Sequence, residues 1–534
     1  MLDLVIRGAQ IADGSGAPLR RGDVGVKDGI ITEIGTVTGA AATTIDASGL
    51  VVAPGFIDVH THSDLTLLAE PLAESAVRQG VTTHVFPNCG HGAAPAVGEA
   101  RQDIEERAAA FGIEVTWRTI GEYFQRVQEA RPSINVVPMV SQGSVRMAVM
   151  GRSTDAPSAS QLEAMKEHIG EAMRSGARGM CTGLRYVPSG YAAVDELIEL
   201  AKVVDRYGGV YSTHMRSEGD NGDWFSAIDE ALAIGQGSGV PVQISHLKAL
   251  GSRSWGKSGK ALAMIEDARS RGMDVTCDQY PYAATSSTLF VLFPQWCQEG
   301  GVDAFLARIA NPPQEEKIRA AFAETLSMRG GGSRMTVSEY TPDRSLQGKT
   351  LIEVTELMGT SEYLASIELL KAAAGRVSMV YHTLEDDDIA AIFPQPYVMV
   401  ASDGSALTPH GEVAGEGSYP HPRNFGCFPK VLGEFVRERK LVPLEEAVRK
   451  MTSLPAGRFG LIDRGLIQPG AQADITIFDP ATVADKATFS RPEQYPEGII
   501  YVIVNGQVVV EQGKHTGRQP GRVLFAAGIL KAVA

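Results

Sequence analysis

Eleven histidines are spread over 534 residues, and two of them, His60 and His62, stand one residue apart in "GFIDVHTHSD". Side chains two apart on a strand project to the same side. Two imidazoles at the end of "GLVVAPGFIDV" could therefore share one cation. An H-x-H by itself is weak, because a metal needs further ligands, and such a pair can equally cap a strand without binding anything. The other donors follow short apolar runs: Cys89 in "FPNCGHG", His214 in "YSTHMR", His246 in "QISHLKA" and Asp403 in "ASDGS". Imidazole, thiolate and carboxylate suit Zn²⁺. Six ligands exceed one tetrahedral site, and a thiolate or carboxylate can bridge, so the set reads as one tightly held zinc with a second possible. Taken singly, Cys89 is a small buried hydrophobe and Asp403 a turn residue. The metal reading needs a fold that gathers these strand ends.

The middle of the chain supplies one. Apolar runs at 55–62, 80–88, 134–143, 177–184, 209–216, 240–250, 272–282 and 396–404 alternate with helix-like segments such as "SASQLEAMKEHIGEAMRSG" and "AVDELIELAKVVDRYG". Eight strands with helical crossovers make a (β/α)8 barrel, whose active sites lie at the C-terminal ends of the strands. All six donors fall at such ends. The seventh and eighth runs are separated by far more chain than a crossover needs. The excess, at about 290–375, is either a lid over the barrel mouth or a surface excursion. The first ~50 residues and the C-terminal stretch from "GAQADITIFD" onward share a texture of short β runs and turns. Both ends then build one small β-sandwich domain, or else two separate appendages. The expected organisation is α/β: residues 1–53 and 464–534 as the two parts of the β domain, with 54–463 as the barrel.

Composition narrows the classes. Lys and Arg number 49 against 63 Asp and Glu, a net charge of −14, which argues against a nucleic-acid surface. No apolar run reaches the ~18 residues of a membrane span. The start lacks the features of a secretory signal, and the five cysteines do not form a disulfide framework. A cytoplasmic protein with no nucleic-acid or membrane partner is expected.

"PGFIDVHTHSD", His214, His246 and "ASDG" resemble the amidohydrolase superfamily of metal-dependent barrel hydrolases. "PNCG", "SHLK", "DQYPYAATSS" and "HPRNFGCFPKVLGEFVRERKLVPLEEAVRKMTSLPA" resemble, more narrowly, the N-acyl-D-amino-acid deacylases or D-aminoacylases. The resemblance runs over nearly the entire chain. It implies that His60, His62 and Asp403 hold one metal position and His214 and His246 the other, with Cys89 shared. Many superfamily members bridge their metals with a carboxylated lysine on the fourth strand. "ARGMCTGLRY" has none, which counts against dihydropyrimidinase and dihydroorotase readings and leaves Cys89 as the bridge.

The resemblance further implies zinc-dependent hydrolysis of a small N-acyl amino acid of D configuration, with Asp403 as general base and acid or as ligand only. Lys248, two residues beyond His246 and so on the same face of that strand, contacts a substrate oxygen or else snorkels from the rim. Arg423 matches the arginine that grips the α-carboxylate, a task suited to a planar fork of donors, although alone it would read as a surface ion pair. Tyr280 and Ser286 match residues that help it. The loop "GSALTPHGEVAGEGSYPHP" looks longer than in the best-known D-aminoacylases and borders the pocket. His382, His410 and His421 carry no assignment. The rivals are hydrolysis of another linear amide or a dipeptide with a D-residue, and a non-catalytic barrel scaffold.

Overall fold

The computed structural model describes residues 1–219, 223–409 and 419–526. At its centre eight strand positions run parallel. Val398–Val400, Val275–Gln279, Val242–Ile244, Val210–His214, Gly179–Gly183 and Val140–Ser141 pair in that order, and Phe56–Asp58, Val81–Phe86 and Asn135–Pro138 pair in another series. Asn135–Pro138 and Val140–Ser141 are one strand interrupted at Met139. The ring closes between the first and eighth positions, where Thr61 and Gly404 form a parallel bridge and Asp403 N donates to His60 O at 2.9 Å. This is the expected barrel.

Burial explains why these strands read as continuous apolar runs. Val81–Phe86, Gly179–Gly183, Val210–His214 and Val275–Gln279 are buried at every position, as strands covered on both faces must be. The crossover helices start where the sequence signals them. Ser158 accepts from Gln161 N and Gln161 returns the bond, a capping box that opens Ala159–Arg174. Asp223 caps Trp224–Ser238 by accepting from Phe225 N.

Both chain ends enter a single nine-stranded sheet. Val51–Pro54 lies in it between Leu2–Ile11, to which it is parallel, and Ile475–Phe478, to which it is antiparallel. One apolar cluster joins Leu4, Ile6, Val24, Ile31 and Val52 from the beginning of the chain to Ile475, Ile477 and Ile503 from its end.

The segment between the seventh and eighth barrel strands has a core of its own, centred on Leu292, Phe293, Phe305, Phe322 and Met379. Besides helices such as Pro312–Met328 it contains a three-stranded antiparallel sheet, Thr285–Thr288, Ser378–Tyr381 and Met335–Glu339. The sequence reading anticipated only helices. Its strands are short, and Thr285–Thr288, "TSST", is half exposed, so no apolar run announces it.

Candidate metal centre

Of the expected donors, His214 is the last residue of its strand and the other five lie just past theirs. The first strand stops at Asp58, and the chain continues through His60 and His62 while His62 N donates to Gly404 O at 2.7 Å. After the second strand the chain turns sharply, with φ of 50° at Cys89 and 70° at Gly90. Gly183 on the fourth strand permits that turn, because a Cβ there would sit 1.9 Å from the Cys89 carbonyl oxygen. His246 and Asp403 also have positive φ, 35° and 52°. Such backbone costs roughly 1–3 kcal/mol per non-glycine residue and persists only where the surroundings over-determine it. Here Asp278 Oδ1 accepts from His246 N at 2.7 Å, and the His60 carbonyl holds Asp403 N.

These turns gather the side chains around one sulfur. Cys89 Sγ lies 3.2 Å from His60 Nε2, 3.4 Å from His214 Nδ1 and 3.5 Å from His246 Nε2. Asp403 Oδ1 is 3.5 Å from His60 Nε2 and 2.9 Å from His62 Nε2. Four ligands held about 2.0–2.3 Å from a zinc ion in a tetrahedron stand about 3.3–3.8 Å apart, which is close to the observed spacing. One candidate donor group is His60, Cys89, His246 and Asp403, and a second is His214, Glu218 and His246. His62 joins the first through Asp403. The donor set is therefore chemically and geometrically fit for zinc.

The electrostatics agree. Burial, with Asp403 nearby, pushes the Cys89 thiol well above its ordinary range, so a thiolate is stable here only against a cation. Burial likewise keeps His214 and His246 well below the usual imidazole value, in the neutral form a ligand requires. For Asp403, burial opposes ionisation, but Arg423, His246, His60 and His62 outweigh it and hold the carboxyl well below the usual range. At His60 burial disfavours charge, while Asp403, Asp278 and Asp58 together raise the imidazole.

Two functional candidates escaped the sequence reading. Glu218 is buried, 2.9 Å from His246 Nδ1 and 3.6 Å from His214 Nε2. A proton on His246 Nδ1 shared with Glu218 leaves Nε2 as the ligand atom. Asp278 is wholly buried, accepts from Gln243 Nε2 at 2.7 Å and lies 3.7 Å from His60 Nδ1. The available signals were an acid four residues after His214 and a carboxylate inside the apolar run "VTCDQ".

The remaining expected residues are placed as follows. Lys248 does not owe its position to strand alternation: the strand ends at Ile244, and the buried ammonium donates to Glu218 and lies 2.7 Å from His246 Nδ1. It neither snorkels nor stands apart from the cage. Arg423 is 5% exposed, with Nη1 2.9 Å from Asp403 Oδ2 and Nε lacking a hydrogen-bond partner among the described residues. The Tyr280 ring lies 5.0 Å from the Arg423 guanidinium and 5.8 Å from Lys248 Nζ. Ser286 is half-buried on the antiparallel sheet, opposite Val380. His421 is buried, bonded to Ala284 O and to Arg423 N, while the His382 ring packs on Phe489. His410 and the rest of 410–418, within the loop preceding Arg423, lie outside the described residues.

Residues 43–510 match the family model described as "Amidohydrolase family". The chain is 38% identical over 526 residues to the D-aminoacylase of Alcaligenes xylosoxydans xylosoxydans, covering 98% of this chain and 97% of that one. It superposes with a TM-score of 0.82 and 36% identity on the N-acyl-D-glutamate deacylase of Bordetella bronchiseptica, over 98% of this chain and 100% of that one. That enzyme was crystallised with zinc and a phosphonate that mimics the tetrahedral intermediate. A D-aminoacylase with a binuclear metal centre, described as activated by one metal and attenuated by the second, matches at a TM-score of 0.82 and 35% identity, over 98% and 99%.

Proposed function

The chain belongs to the amidohydrolase family, and on that premise we propose that it is a zinc-dependent hydrolase of N-acyl-D-amino acids, releasing a carboxylate and a free D-amino acid. The observation that carries the reading is the cage in which Cys89 Sγ stands 3.2–3.5 Å from three imidazole nitrogens, with Asp403 at its edge. His60, Cys89, His246 and Asp403, with His62, would hold the tighter ion, and His214, Glu218 and His246 a weaker second one. Bound zinc supplies Lewis acidity toward the scissile carbonyl and lowers the pKa of water.

The chain's own residues do the rest. Asp403 is charged and borders the cage on one oxygen and Arg423 on the other. It takes the proton of the attacking water and passes it to the departing amine nitrogen. Arg423 grips the substrate α-carboxylate with its remaining donors, beside Tyr280 and Ser286. Lys248, held between Glu218 and His246, sets the orientation of His246 and presents positive charge to the acyl oxygen. We assign catalysis to residues 54–463 and treat 1–53 and 464–534 as one β unit, a division supported by their shared sheet. No helix among the described residues is long and apolar enough to cross a membrane. Five free, buried cysteines support a reducing, cytoplasmic setting.

The test is release of free amine from paired N-acetyl-D- and N-acetyl-L-amino acids, with zinc measured on the same preparation and Cys89→Ala as control. D-selective turnover that tracks zinc is expected. Zinc-loaded protein that is inert toward every D-substrate overturns the reading.

A further inference from the structure

The axis of the barrel is apolar on most of its strands. Ile57, Val85, Val137, Cys181 and Met399, from five strands, belong to one buried cluster, the filling such a barrel ordinarily has. The sixth and seventh strands break the pattern. Gln243 and Thr276 are register partners, and Asp278 stands two residues after Thr276 on the same face, opposite Met399 of that cluster. All three are buried.

Buried polar groups are costly unless satisfied, and these three satisfy one another in series. Thr276 Oγ1 donates to Gln243 Oε1, and Gln243 Nε2 donates to Asp278 Oδ2 at 2.7 Å. The chain of bonds fixes the rotation of the carboxylate and leaves its other oxygen to the cage. Oδ1 accepts from His246 N at 2.7 Å, where a φ of 35° turns the chain past the sixth strand. The same Oδ1 faces His60 Nδ1 at 3.7 Å. That nitrogen is buried and has no hydrogen-bond partner among the described residues, while His60 Nε2 lies 3.2 Å from Cys89 Sγ. A shift of about 0.5 Å brings Nδ1 and Oδ1 within hydrogen-bond range. The His60 and His246 rings are 4.8 Å apart, so a single oxygen reaches both ligands.

We propose that Asp278 is a positioning residue for the metal centre: its Oδ1 takes the Nδ1 proton of His60, fixing Nε2 as the ligand atom, and at the same time holds the turn that aims His246. Gln243 and Thr276 keep the carboxylate at that angle. The proposal rests on the zinc-hydrolase reading and deepens it, since a carboxylate behind a ligating imidazole sets its tautomer and raises its basicity.

Asp278→Asn tests this, because asparagine has the same size and keeps an oxygen for His246 N while removing the charge behind His60. Zinc affinity, read by chelator competition, is expected to fall about ten- to hundredfold, and the visible spectrum of the cobalt-substituted variant to shift. The unloaded variant is expected to unfold close to the parent temperature. Unchanged affinity and spectrum, with or without lost stability, overturn the role of Asp278 and leave the cage standing. A crystal structure of the zinc-loaded parent decides independently of how the variant folds: the Nδ1 to Oδ1 separation should shorten to about 3.2 Å or less, and a separation still at 3.7 Å overturns the proposal. A parent that binds no zinc overturns both the proposal and the hydrolase reading.

Discussion

Arg423 Nη1 stands 2.9 Å from Asp403 Oδ2, and both side chains are buried. Arg423 is thus the largest of the charges that hold the Asp403 carboxyl ionised. On the roles proposed above, substrate recognition and proton transfer would be coupled through this pair.

Replacing Arg423 by alanine leaves a buried carboxylate without its counter-charge, a loss of about 3–5 kcal/mol in stability. Arg423→Lys keeps the charge but not the fork. The lysine variant is expected to stay folded and to raise KM for N-acyl-D-amino acids by at least tenfold, with little change for the matching N-acyl amides. Steady-state kinetics on both substrate forms check this, and equal losses on the two would contradict the carboxylate role.

Removing the central sulfur tests the cage. Cys89→Ser is expected to lower zinc affinity by at least a hundredfold, read by competition with a chromophoric chelator, while the circular dichroism spectrum stays that of the parent. Retained zinc affinity would move the ion elsewhere.

Gly183→Ala replaces no ligand, yet its methyl would sit 1.9 Å from the Cys89 carbonyl oxygen. The turn that aims Cys89 must then shift, so zinc affinity should fall together with stability, the latter by about 1–3 kcal/mol. Zinc titration and thermal unfolding on one preparation decide it. Lost stability with unchanged zinc binding would show that the turn does not aim the sulfur.

Acid sensitivity has a named contributor outside the cage. Burial lowers the His84 imidazole from 6.5 to about 3, and its Nδ1 lies 3.1 Å from Ser63 Oγ. The unfolded chain takes up this proton near pH 6.5, whereas the folded chain resists it to about pH 3. The unfolded state therefore binds more protons in that window, and stability falls as pH drops from about 6.5 toward 3, by on the order of 4 kcal/mol from this group. In His84→Asn, unfolding free energy measured between pH 7 and 4 should decline less steeply than in the parent. Parallel slopes would remove His84 from the account.

Glu218 serves two charges, Lys248 and any ion held by the histidines. Glu218→Gln is expected to cost about 3–5 kcal/mol by leaving a buried ammonium unpaired. Adding Lys248→Met should recover most of it. A double variant no more stable than the single would show that the pair is not coupled.

The barrel was legible because its strands, buried on both faces, leave unbroken apolar runs that end in polar donors. His60, Cys89 and Asp403 could be named before any geometry was known, since each stands immediately after such a run. Glu218 was not legible in the same way: its proximity to His246 arises from a loop after the fifth strand, and no periodicity fixes a loop. The strand alternation invoked for Lys248 does not hold, because the strand it was placed on ends at Ile244 and the positive φ at His246 redirects the chain. The sheet of the inserted segment was invisible because its strands are short and partly polar, and they pair only after long excursions.

Val51–Pro54 hydrogen-bonds Ile475–Phe478, a partner made some four hundred residues later. At roughly 5–20 residues per second of synthesis, the amino-terminal strands wait on the order of 20–80 s on the ribosome with one flank open. During that interval they present an unsatisfied edge of the kind that recruits foreign strands. Shielding the beginning of the chain until its end arrives is therefore a demand that this sheet places on folding.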